Sequence, residues 1–91
     1  MRPEYSLKEN LIIDKVQKYA LYIDKLIDRQ ETFSPSKYDK MIKYFDDVLN
    51  MSEIHYEIRE YTDYCYSVLI RYDYHKQYER YLKLQKIRKL K

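Results

Sequence analysis

From Glu53 to Lys89 the chain reads EIHYEIREYTDYCYSVLIRYDYHKQYERYLKLQKIRK, with no glycine or proline to interrupt it. Ile54, Ile58, Tyr61, Cys65, Val68 and Tyr72 recur at alternating spacings of four and three, which places them on one face of an α-helix. The spacing predicts a single helix over 53–89, about 55 Å long at the helical rise of 1.5 Å per residue. Beyond Tyr72 the same face continues as Lys76, Glu79, Lys83 and Lys86. A second row, Tyr74, Tyr78 and Tyr81, lies on nearly the opposite side, with Leu82 beside it. A helix that exchanges one apolar face for another meets a different neighbour along its second half.

Upstream, Asn50 with Glu53 has the spacing of a capping box, with Ser52 as a competing cap. The segment before it has a stripe of Tyr38, Met41, Phe45 and Val48, widened by Ile42 and Leu49. Ser34 is its cap, and Pro35 takes the first helical position, where its missing N–H costs nothing. Ser36 with Asp39 offers an alternative start. This predicts a helix over 35–49. Further upstream, Ser6 and Glu9 form a capping box ahead of Ile12, Val16, Tyr19, Ile23 and Leu26, with Ala20 and Ile27 alongside. That helix is expected over 7–30, about 36 Å long. The fold class is therefore all-α: a three-helix bundle with a long C-terminal helix extending beyond the core, in one domain spanning 1–91. The absence of glycine counts against a β-rich alternative, because tight hairpin turns rely on positive φ.

A chain of 91 residues is one small domain with a modest core, burying about 60–65% of its unfolded surface. Cys65 is the only cysteine, so no internal disulfide forms, and a reducing cytoplasmic setting is expected. No apolar run approaches the roughly 18 residues of a membrane span, and the N-terminus lacks a signal-peptide pattern. The net charge of +3 is unevenly spread. Residues 1–70 carry ten Lys/Arg against thirteen Asp/Glu, while residues 71–91 carry eight against two.

Catalytic chemistry finds little to stand on. His55 and His75 are twenty residues apart on the predicted helix, about 30 Å, and cannot share a metal within one chain. His75 and Glu79 read as a solvated i,i+4 pair, and Cys65 as a buried small hydrophobe. Without glycine there is no phosphate loop. Asp46 and Asp47 point to different sides of their helix, and Glu53, Glu57 and Glu60 suit the positive end of a helix dipole. No catalytic residue, cofactor, metal, small-molecule substrate or membrane partner is expected, and the chain is not read as an enzyme.

Two surfaces stand out. Tyr74, Tyr78, Tyr81 and Leu82 form a candidate protein interface, since tyrosine buries much area with few rotatable bonds. Arg71, Lys76, Arg80, Lys83, Lys86, Arg88 and Lys89 form a candidate nucleic-acid contact. There the cations would neutralise phosphates, and the interleaved tyrosines would stack on unpaired bases. The leading expectation is a non-catalytic interaction module whose partner is itself or another protein, a self-associating homodimer or the subunit of a larger assembly, of the size of a small regulatory or accessory protein of a virus or mobile element. The alternative is a nucleic-acid-binding protein that uses the basic C-terminal helix.

Overall fold

The computed structural model describes residues 3–89, with the backbone alone at Lys89. Four helices follow one another: α1 (Leu7–Ile27), α2 (Pro35–Leu49), α3 (Tyr56–Ile70) and α4 (Asp73–Lys89). No strand occurs among the described residues. The all-α class holds, but the expected single helix over 53–89 is two helices, and the bundle has four.

The start of α1 is built as its sequence suggests. The Ser6 hydroxyl accepts from the Glu9 N–H at 3.1 Å, and the Glu9 carboxylate accepts from the Ser6 N–H at 3.0 Å. The helix stops at Ile27 instead of reaching Gln30. Asp28 caps it, and Arg29 follows with φ 61°. The Gln30 N–H bonds the Lys25 carbonyl and the Arg29 N–H bonds the Leu26 carbonyl. These are the paired bonds of a Schellman stop, with arginine in the left-handed position that glycine usually fills. Ser34 caps α2 with Pro35 as its first residue, and Asn50 ends it.

The third helix begins at Tyr56, not Glu53, and its cap is His55, whose Nδ1 accepts from the Glu57 N–H at 3.2 Å. Neither Asn50 nor Ser52 serves. The choice is made by α1, because the Glu9 carboxylate also accepts from the His55 N–H at 2.9 Å. The Tyr5 hydroxyl donates to Glu57 at 2.6 Å, and its ring meets the His55 ring edge-on. The Ser6 N–H, and after it the His55 N–H, hold the Glu9 carboxyl below the usual carboxylate range.

The break between α3 and α4 falls at Arg71 and Tyr72 and uses no special residue. Arg71 stays right-handed at φ −75°, and the N–H groups of Arg71, Tyr72 and His75 bond back three residues instead of four. The corner lets α4 fold back against α2 and α3. A continuous helix would have left the Tyr74–Tyr78–Tyr81 row in water. The exchange of apolar face seen in the sequence therefore marks the turn.

The buried residues form one cluster drawn from all four helices. On α2, Tyr38, Met41, Ile42, Phe45 and Val48 are buried, as their spacing predicted. On α3 the buried row is Ile58, Thr62, Cys65 and Leu69. The expected row is rotated by about one position: Val68 is only partly buried, and Tyr61 and Tyr72 are each 41% exposed. Thr62 is tolerated in the core because its hydroxyl donates to the Ile58 carbonyl at 2.8 Å. Helix α1 packs on α3 and α2, and α4 packs on α2 and α3 while its Tyr74 hydroxyl reaches the end of α1. The molecule is flat, 49 × 32 × 18 Å, so every helix keeps an outward face. No helix of the described residues is long and apolar enough to cross a membrane.

Candidate functional site

The C-terminal tyrosine row faces inward. Tyr78 is 6% exposed and donates to Asp39 on α2 at 2.6 Å. Its ring lies 5.1 Å from that of Tyr38, which is fully buried. Tyr74 donates to the Leu26 carbonyl of α1 at 2.7 Å and stacks on Phe33 at 5.5 Å. Tyr81 is partly buried against the same core, while Leu82 stays 38% exposed. The different neighbour for this face is the chain's own α2 and α1. As a surface for a second molecule, Tyr74 and Tyr78 are already occupied.

His75 completes this aromatic cluster. Its Nδ1 lies 3.2 Å from the Tyr38 hydroxyl, and its Nε2 is 3.6 Å from Glu79. The expected His75–Glu79 pair is present, but the imidazole is turned into the fold, with Tyr66 and Tyr78 around it. Burial pushes the Tyr38 hydroxyl well above the ordinary phenol value. Burial does the same for Tyr78, reinforced by its bond to the Asp39 carboxylate. For Asp39 burial works upward, but the Tyr78 hydroxyl and Lys43 outweigh it and hold the carboxyl below its usual range.

The open surface lies elsewhere, between α1 and α3. A groove of about 690 Å³ runs between Ala20, Ile23, Asp24 and Ile27 on one wall and Tyr61, Tyr64, Cys65 and Val68 on the other, closed at one end by Arg71 and Tyr72. A shallower depression lined by Tyr5, Ile13 and Ile58 shares Tyr61 with it and extends it toward the start of α1. Tyr64 is 66% exposed. Asp24 and Arg71 are both exposed, and among the described residues neither forms an ion pair. On the α3 wall, burial pushes the Cys65 thiol up, an effect that the Tyr61 hydroxyl opposes and the Asp24 charge adds to. A thiol held neutral is a poor nucleophile. Among the described residues no three His, Cys, Asp or Glu side chains converge as metal ligands would.

The basic residues divide. Arg71 belongs to the groove. Lys76, Arg80, Lys83, Lys86 and Arg88 are exposed on α4, and none of them pairs with a carboxylate among the described residues. The side chain of Lys89 lies outside the described residues. Comparison with known protein families, curated proteins and solved structures gives no match.

Of the groove residues, Tyr61, Cys65, Val68 and Tyr72 were read from sequence as core, and Tyr64 and Asp24 were not singled out. Their signal was the doubled apolar row on α3, where Tyr61–Val68–Tyr72 and Thr62–Leu69 both keep helical spacing with Ile58 and Cys65. A helix so widely apolar has more surface to cover than one neighbour can take.

Proposed function

We propose that the chain is a non-catalytic protein-interaction module that associates with a second copy of itself through the α1–α3 groove, and that it works in the cytoplasm. The observation carrying this reading is that the groove is lined by opposite charges that form no ion pair among the described residues, Asp24 on α1 and Arg71 at the C-cap of α3. A two-fold contact presents the same patch on both subunits, so each Asp24 meets the partner's Arg71 and the pairing occurs twice. The exposed Tyr61, Tyr64 and Tyr72 give such an interface its aromatic centre, where amphipathic rings bury area at low entropic cost. The flat shape supports the same reading, since a molecule 18 Å deep leaves this groove uncovered.

A charge exchange tests the geometry. Asp24→Arg alone places like charges against each other and is expected to yield monomers, as is Arg71→Asp alone. The double variant restores the pairs with reversed sign and is expected to recover the dimer. Failure of the double variant to recover it, with helicity intact in all three, would contradict the proposed pairing.

A further inference from the structure

We infer that the outward face of α4 binds the phosphate backbone of duplex nucleic acid. Lys76, Arg80 and Lys83 stand at spacings of four and three, so they share one stripe of the helix. That stripe points away from Tyr74, Tyr78 and Tyr81, which are packed inward. Lys86 extends the positive surface at one edge, while Arg88, seven residues after Tyr81, is turned toward the tyrosine side. From Asp73 to Arg88 five cations face two carboxylates, and one of those, Glu79, lies beside His75. Like charges one turn apart repel; Asp73 and Glu79 stand one turn from Lys76 and Lys83, but among the described residues neither closes an ion pair with them. A polyanion relieves that repulsion. Lys76 and Lys86 are about 15 Å apart along the helix. One strand of a duplex presents a phosphate about every 3.4 Å of axis, so about four phosphates lie within reach. The stripe faces away from Tyr74, whose hydroxyl reaches α1, and Lys76, Arg80 and Lys83 do not line the α1–α3 groove, so the inference does not depend on self-association.

The structure also selects the form of nucleic acid. The tyrosines that would stack on unpaired bases are engaged, Tyr78 with Asp39 and Tyr74 with the Leu26 carbonyl. Tyr81 is partly buried against the same core, so the Lys76–Arg80–Lys83 stripe offers charge without stacking, which reads a duplex backbone and gives no preference for single strands.

Anisotropy titration of a labelled, mixed-sequence duplex against the full chain tests this. Three to four cations facing one strand give a slope of about −3 to −4 in log affinity against log salt, a loss of at least about 60-fold between 50 and 200 mM. Replacing Lys76, Arg80 and Lys83 with glutamine, in a chain whose circular dichroism is unchanged, is expected to flatten the slope to about −1. Absence of binding at 50 mM salt would overturn the inference, as would salt-steep binding indifferent to the triple change. A strong preference for the matching single strand would also overturn it, because base stacking requires the α4 tyrosines to leave the core. So would capture by phosphatidylserine vesicles without capture of the duplex.

Discussion

Arg29 pays for the end of α1. With φ 61° it sits in a conformation that costs a residue bearing a Cβ about 1–2 kcal/mol, and no glycine exists anywhere in the chain to take the position. Arg29→Gly is expected to stabilise the fold by about 0.5–1 kcal/mol, the relief being partly offset by the greater freedom of glycine in the unfolded chain. Urea denaturation should show a raised midpoint at unchanged slope. Tyr78 tests the opposite sign. Tyr78→Phe leaves the ring but removes the donor to the partly buried Asp39 carboxylate, at a cost of about 1.5–3 kcal/mol. The same change at the exposed Tyr64 should fall within about 0.5 kcal/mol. Asp39 also sets an acid limit. Its folded pKa is depressed, so its contribution is present above the ordinary carboxylate range near 4 and is lost as pH falls through the folded value. In Tyr78→Phe this acid-side loss should shrink, read as a smaller drop in thermal midpoint between neutral and acid pH.

The helices separate what local sequence decides from what contact decides. On α3 the buried row runs through Leu69, not Val68. Leu69→Ala should therefore cost about 2–5 kcal/mol, and Val68→Ala markedly less. Equal losses in chemical denaturation would return the helix to the register read from its spacing. The caps at Ser6 and Ser34, and the stripe of α2, were legible because caps and helical faces are set by residues within one or two turns. The cap at His55 was not, because Asn50 and Ser52 are equally good locally and the decision comes from Glu9, forty-six residues away. The corner at Arg71–Tyr72 was half legible. The exchange of faces is written in Tyr72 and Tyr74, but the turn has neither glycine nor proline, and burial of Tyr78 against α2 drives it. The α1–α3 groove was not legible, since it depends on how far apart two helices settle.

For the molecule as a whole, the inward tyrosines predict how it fails at high pH. The folded pKa values of Tyr38 and Tyr78 are raised, so the neutral phenols stabilise the fold below the unfolded value near 10, and that contribution is lost as pH climbs toward the folded values. Phenolate absorbance followed against pH should show the exposed tyrosines ionising first and a second group ionising together with loss of helical dichroism. Independent titration of all thirteen tyrosines with helicity retained would place the α4 row in solvent. The inward row also leaves the α1–α3 groove as the surface open to a second copy, and this is most directly tested by sedimentation equilibrium at high micromolar concentration. The wild-type chain is expected to weigh twice its 11.5 kDa, and Tyr64→Lys, at the exposed rim of the groove, is expected to give helical monomers. A wild-type mass equal to the single chain, or a dimer that Tyr64→Lys leaves intact, would contradict self-association through this face.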